Sequence, residues 1–546
     1  MIGRAVVVVP FAVCIALYAA VLRGHFLSDD MAVIYVLSGW NYHDELWARL
    51  FGKFSSGLDA PSHYYRPLAF LSYGINLALP GFDPLPWHLV NLAGHLFAGV
   101  AVYRISCALP PAPSSRFGPG LAAALFLLCG TNAEPVAWIS GRYDVFATAF
   151  SLWAAALYLK SGTAVDRHAL GALLCGVLAF TSKESAAILP GLIGCLAWIR
   201  HGDAPMRARW TSIVRDLAPW LLLLAWYFTL RLLMFGSMFQ VYPGAHPLAR
   251  IVDGGWLLAM QGVVPWLAAA IPDASALAVA SALSALFLLA GTISVIRDRS
   301  LWRKGLGLLA AVLWSLALLL PHLSGLAANG EGGRLFYSTS ALLAILIGVP
   351  FGSRWFSGAP RIIRGAVFVS GCALVGAHAV LLHIALRDWR TAGTQMGQLV
   401  AMLPGLNRSP GAEGYTFVFA PDAIGAVPFA RNANGAMVLP PIQRQPLLSN
   451  MIVFLPADIP NIPALLSQQL IPTLKRFTLN EAAAQMQAPA ADGLASPTVW
   501  PTELFCWRQD AATVARLPLG ENWRDPVHWE TEITAGLRRA GCAKTV

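Results

Sequence analysis

Apolar runs of about 18 to 25 residues recur along this chain from its N-terminus to near residue 386, the length a helix needs to cross a bilayer. Backbone amides in hydrocarbon must bond within their own segment, so each run reads as an α-helix. Composition agrees. Hydrophobic residues make up 57% and charged residues 12%, against roughly 25% charged in a typical globular domain, and the mean hydropathy is +0.59. The expected fold is an all-α polytopic membrane protein, with the lipid bilayer as its first partner. The formal charge of +10 fits Arg and Lys in cytoplasmic loops. No basic cluster with interleaved aromatics follows a soluble signature, so no nucleic-acid partner is expected.

Residues 5–22 form the first span, preceded by Arg4. Tyr18-Ala19-Ala20 would serve as a signal-peptide cleavage site, but the run is long for a signal core, and an uncleaved anchor is favoured. Further spans are expected near 86–108, 118–133, 144–160, 168–181, 185–199, 217–235, 274–296, 305–322, 333–351 and 364–386. That makes about 11 transmembrane helices. Stretches such as Leu46–Phe54 and Pro67–Leu79 suit interfacial helices. The apolar stretch 254–271, interrupted by Pro265, reads as re-entrant or interfacial. Basic residues at 104 and 116, 160 and 167, 200–215, 297–304 and 354–364 occupy alternate loops, which the positive-inside rule makes cytoplasmic.

Two domains follow: a transmembrane module over 1–387, with a first outer loop at 24–85, and a C-terminal domain over 388–546. After Arg387 Pro, Asn and Gln rise, no later run is long enough to span, and Tyr415–Ala420 and Met451–Leu455 read as short strands. Parity makes this small α/β domain extracytoplasmic. Its two cysteines, Cys506 and Cys542, have the opportunity to pair there; the other six lie in or beside apolar runs and form no zinc-type spacing.

Charges beside apolar segments are functional candidates because their desolvation is costly. Here five clusters share the expected outer face. Asp29 and Asp30 follow the first span, and Arg66 opens Tyr64-Tyr65-Arg66-Pro67-Leu68. Glu134, Arg142 and Asp144 occupy one short turn, Lys183 and Glu184 another, and Glu331 and Arg334 precede Tyr337. Arg and Lys suit a phosphate; carboxylates suit a base, a hydroxyl acceptor or a metal ligand. His88, Asn91 and His95 line one stripe of the second span, where interhelical hydrogen bonding is favoured over a metal site.

The order and spacing of Asp29-Asp30, Tyr65-Arg66-Pro67-Leu68, His88…Asn91…His95, Glu134-Pro-Val…Gly141-Arg142-Tyr-Asp144, Ser182-Lys183-Glu184-Ser185 and Gly333-Arg334-Leu-Phe-Tyr337 resemble the GT-C glycosyltransferases. Most similar is the membrane region of the transmembrane-and-tetratricopeptide O-mannosyltransferases and their bacterial relatives. The resemblance covers about residues 1–350 and does not extend to the repeats, which this chain lacks. It implies an integral membrane glycosyltransferase that moves a sugar from a polyprenyl-phosphate donor to a protein, lipid or polysaccharide acceptor, in a bacterial inner membrane with the active site facing the periplasm. An aspartate of the first outer loop, Asp29 or Asp30, would be the general base of an inverting reaction. Arg142, Lys183 and Arg334 would hold the donor phosphate. Arg66, His88, His95, Glu134, Asp144, Glu184 and Tyr337 would bind substrate or support the site. A divalent cation (Mg or Mn) on Asp29 and Asp30 is compatible with this chemistry. The rival classes are another lipid-linked glycan enzyme, such as a polymerase or ligase, and a transporter or flippase. Transporters place their charges near the midplane on broken helices, whereas these charges lie at span ends.

Overall fold

The apolar runs among the described residues fold as helices. The protein is represented by a computed structural model that describes residues 2–38, 65–109, 116–162, 166–236, 238, 274–319, 331–406, 415–433, 435–447, 451–467 and 500–542. Leu46–Phe54 and the stretch 254–271 lie outside the described residues. Among those described, five helices are long and apolar enough to cross a membrane: Pro84–Ala108, Met206–Phe235, Leu301–Leu319, Gly333–Gly352 and Arg361–Leu406. The pair Phe117–Leu127 and Gly130–Ala137, bent by 49°, makes a sixth if it counts as one span. The spans expected at 168–181 and 185–199 appear as the helices Arg167–Phe180 and Ile188–Arg200, with a short 3-10 turn at Glu184–Ala187 between them, and a second such turn, Ile139–Gly141, lies between the runs expected at 118–133 and 144–160.

The chain divides into two units. The first comprises Met1–Leu22, Tyr64–Ser72 and Leu85–Arg387. At its centre Phe117–Leu127 packs against Ile2–Tyr18 and Tyr337–Gly348. Helices in lipid associate by close packing rather than by the hydrophobic effect, which favours small residues at crossings. Gly118 and Gly348 show this reciprocally. A Cβ on Gly118 would lie 2.5 Å from the Gly348 carbonyl oxygen, and a Cβ on Gly348 2.6 Å from that of Gly118. Polar side chains tie the same region together: the Tyr18 hydroxyl donates to the Asn132 carbonyl (3.0 Å) and the Ser340 hydroxyl to Asn132 Oδ1 (3.0 Å).

The second unit comprises Arg23–His63, Tyr73–Pro84 and Asp388–Val546. Its strands are β1 Tyr415–Phe419, β2 Ala423–Ile424, β3 Val427–Pro428, β4 Met451–Phe454, β5 Pro501–Arg508 and β6 Thr513–Arg516. One sheet runs β4-β1-β5-β6, with β1 parallel to both neighbours and β5 antiparallel to β6. β2 and β3 form a separate antiparallel hairpin. The helix Trp529–Arg539 buries Trp529, Ile533 and Leu537, its one apolar stripe at four-residue spacing, against Phe417, Phe419, Phe454 and Leu504. The expected small α/β region is therefore present, and Cys506 and Cys542 are joined by a disulfide.

That bond closes a loop of 36 residues, and loop-closure entropy at this length is worth about 4 kcal/mol. The double substitution Cys506→Ser/Cys542→Ser in the full chain should therefore make 415–542 markedly more protease-sensitive on mild heating. Unchanged protease resistance would show that the bond contributes little.

Candidate active site

In the first unit the charged residues singled out by sequence meet as three cation–carboxylate pairs. Arg66 Nη2 lies 2.5 Å from Glu184 Oε1, and its Nε donates to Oε2 at 3.1 Å. Lys183 Nζ donates to Asp144 Oδ1 at 2.6 Å. Arg334 Nη1 lies 3.3 Å from Glu134 Oε1. Local structure explains how neighbours in sequence reach different partners. Lys183 is extended (φ −163, ψ 150), and an extended backbone sends successive side chains to opposite sides, so Lys183 reaches Asp144 while Glu184 reaches Arg66. The turn carrying Glu134 and Asp144 is folded tightly on itself: a Cβ on Gly141 would lie 2.4 Å from the Pro135 carbonyl oxygen. Gly333 lies as close to Thr131, where a Cβ would be 2.5 Å from the carbonyl oxygen, and this brings Arg334 beside Glu134.

The pairs form one electrostatic neighbourhood. Burial pushes the Lys183 ammonium below its usual range; Arg66 and Arg334 push the same way, and Asp144 and Glu184 oppose them. Burial alone would raise the Glu184 carboxyl, but Arg66 and Lys183 outweigh it and hold the group at about 2. Two aromatic faces complete the setting. The Arg66 guanidinium lies 4.8 Å from the Tyr143 ring centroid and that of Arg334 lies 4.6 Å from Trp138. Arg334 is the most open of the three cations, its side chain 35% exposed against 13% for Lys183. An ammonium has three donors and a guanidinium five, so an arriving anion can share these cations with their carboxylates.

Arg142 differs. It is completely buried. Its Nε donates to Asn91 Oδ1 (2.8 Å), Nη1 to Ser72 Oγ (3.1 Å) and Nη2 to the Trp87 carbonyl (2.8 Å). In this conformation the guanidinium holds helices together and offers no surface to a phosphate. The stripe on Pro84–Ala108 bonds in the same way: Asn91 Nδ2 donates to the Trp138 carbonyl at 2.7 Å, and His95 shares a 2.7 Å hydrogen bond with the Tyr337 hydroxyl. Tyr337 and His95 are both fully buried, and His88 is nearly so.

Asp29 and Asp30 belong to the second unit. They open the helix Asp29–Ser38 after a turn at Ser28, whose φ of 49° is left-handed. The two carboxylates have different surroundings. Asp30 is 3% exposed, and its Oδ2 accepts from the Leu27 amide (3.1 Å), closing its own turn. Asp29 is half-buried, and its Oδ1 accepts from Asn432 Nδ2 at 2.8 Å. The pair thus face different donors. Among the described residues no group of three or more His, Cys, Asp or Glu side chains gathers to hold a metal. A divalent ion such as Mg or Mn requires several convergent oxygens. This donor set does not fit one, and no step is derived through it. Asn432 escaped the sequence reading because a neutral amide in a polar, Pro- and Asn-rich stretch carries no desolvation signal.

Comparison with known proteins finds no matching family model. Over 204 residues the chain is 32% identical to the protein O-mannosyl-transferase Tmtc1 of Drosophila melanogaster, a match covering 34% of this chain and 22% of the relative. It is 31% identical over 199 residues to TMTC1 of Mus musculus, covering 33% and 20%. It is 25% identical over 187 residues to the protein O-mannosyl-transferase F38B6.6 of Caenorhabditis elegans, covering 34% and 26%. The chain is similar in sequence to the O-mannosyltransferases. These are the proteins that the motif order resembles, and the chain matches about a quarter or less of their length. Among solved structures, ArnT from Cupriavidus metallidurans aligns with a TM-score of 0.45 at 12% identity, covering 78% of this chain and 84% of that one. Archaeal oligosaccharyltransferase AglB from Archaeoglobus fulgidus aligns at 0.43 and 12%, covering 76% and 62%.

The Glu184 carboxyl, held below its unfolded value by Arg66, should contribute stability in full above about pH 4.5 and lose it as pH falls toward 2. Arg66→Gln should remove that acid-range slope and cost on the order of 3 kcal/mol at neutral pH, because it strands a largely buried carboxylate. Melting of the detergent-solubilised protein across pH 2–6 checks both, and a slope identical to wild type would remove the pair from the stability argument.

Proposed function

We propose that this protein is a membrane glycosyltransferase that moves a sugar from a polyprenyl-phosphate donor to an acceptor hydroxyl outside the cytoplasm, with Asp29 as general base. The observation that carries the reading is the gathering of Arg66, Lys183 and Arg334 into one set of paired cations, in a chain similar to O-mannosyltransferases over a third of its length. Mannose is accordingly the first sugar to test.

In the proposed reaction the acceptor oxygen attacks the anomeric carbon from the face opposite the phosphate. The bond from that carbon to the phosphate oxygen breaks, its electron pair leaves with the polyprenyl phosphate, and the acceptor proton passes to the Asp29 carboxylate. The new bond has inverted configuration. Negative charge builds on the departing phosphate, so cations already fixed by their carboxylates stabilise the transition state more than the ground state. Lys183 and Arg334 keep that role. Arg66 orients Glu184, and Arg142, His95 and Tyr337 hold the helices. Asp29 is preferred over Asp30 as base because it is the more accessible and Asp30 closes its own turn. The Cys506–Cys542 disulfide supports an oxidising compartment for the second unit, and a bacterial inner membrane with this unit in the periplasm satisfies that requirement.

Purified full-length protein in lipid nanodiscs, given undecaprenyl-phosphate mannose and then the corresponding glucose, galactose and arabinose donors with an envelope extract as acceptor, should release undecaprenyl phosphate from one of them. Asp29→Asn should lower that rate by about 10²- to 10⁴-fold, the usual weight of a general base. Lys183→Gln and Arg334→Gln should raise the donor KM. Release from none of the donors would overturn the reading. Orientation is checked separately: Val527 is 82% exposed, and Val527→Cys should react in spheroplasts with a membrane-impermeant maleimide. Labelling only after lysis would place the unit in the cytoplasm.

A further inference from the structure

The loop bearing Asp29 is fastened by residues about 400 positions later in the chain. The Ser28 amide donates to the Phe429 carbonyl (2.9 Å), the Ser28 hydroxyl to the Arg431 carbonyl (2.7 Å), and the Asn432 amide to Asp29 Oδ1 (2.8 Å). All of these residues lie in the second unit. The segment that supplies them is itself braced. Arg431 Nε donates to both carboxylate oxygens of Asp422 at 3.0 Å, and the Phe429 amide donates to the Asp422 carbonyl at 2.8 Å across the β2–β3 hairpin.

Both sides of the contact are left-handed without being glycine, Ser28 at φ 49° and Asn432 at φ 60°. Such residues cost of order 1–3 kcal/mol each and persist only where the surroundings enforce them. Asn tolerates the conformation better than most, yet Asn432 is exposed, so packing does not explain the choice. What distinguishes it is the hydrogen bond to Asp29. A carboxylate has two oxygens; fixing Oδ1 with a neutral donor sets the direction of Oδ2 and leaves the negative charge in place.

We propose that Asn432 is a positioning residue of the transferase: its side-chain amide orients the Asp29 carboxylate, so the β2–β3 segment of the C-terminal region completes the catalytic loop. This rests on the assignment of Asp29 as base. The test uses the full-length protein in nanodiscs with whichever of the four undecaprenyl-phosphate donors the wild type turns over. Asn432→Gly accepts the left-handed backbone and deletes only the amide. It should lower kcat roughly ten- to a hundred-fold, the effect of a misdirected catalytic group, with the donor KM within about twofold of wild type.

Asn432→Asp is nearly isosteric and tolerates the same backbone, but it sets a second carboxylate against Asp29. It should be the slower of the two variants, whereas a purely conformational role for Asn432 would make it the milder. In an Asp29→Asn background Asn432→Gly should add no further loss, since it acts through Asp29. Wild-type kcat in Asn432→Gly, an Asn432→Asp variant faster than Asn432→Gly, or loss of the monodisperse folded protein in both would overturn the assignment. Failure of the wild type to use any donor would instead overturn the transferase reading on which it rests.

Discussion

A charge at the edge of hydrocarbon needs a partner, and the first unit depends on that constraint. The penalty for leaving a carboxylate or an ammonium unpaired out of water is several kcal/mol, larger than most single packing contacts. Arg66, Lys183 and Arg334 accordingly lie against Glu184, Asp144 and Glu134 respectively. The turns that present them are fixed by close backbone approaches at Gly141 and Gly333, where a side chain would have no room. The result is a set of donors held in place by the fold itself. Preorganised charge of this kind is what the proposed transfer would require, since a developing anion is then met without reorganisation at the moment of reaction.

The same constraint decides how much of the molecule is legible in its sequence. Helical spans are visible because bilayer thickness sets their length, and the small α/β region is visible as the stretch where such runs stop. Their number is harder to read, because a break such as the 49° bend between Phe117–Leu127 and Gly130–Ala137 falls inside the single run expected at 118–133. Charged site candidates stand out since desolvation makes them rare. Their pairing does not. Lys183 and Glu184 are adjacent but serve partners 39 and 118 residues away. Arg142 looks equivalent to Lys183 in sequence, and only its three bonds to Asn91, Ser72 and Trp87 separate a helix clamp from a candidate phosphate ligand. Cys506 and Cys542 were readable as an opportunity, since spacing alone does not bring two sulfurs together.

Neutral residues are the least legible, and they dominate the aspartate loop. Two left-handed residues there cost of order 1–3 kcal/mol each, while a typical hydrogen bond returns about 1 kcal/mol net. Three bonds, from the Ser28 amide, the Ser28 hydroxyl and the Asn432 amide, therefore roughly balance the strain and leave little surplus. The contact holds because the Asp422–Arg431 fork and the β2–β3 hairpin keep the accepting carbonyls in place. A latch so nearly balanced responds to small changes in the segment that carries it. The geometry of Asp29 is thus sensitive to residues near 422–432, about 400 positions later in the chain, that carry no charge or desolvation signal of their own toward it.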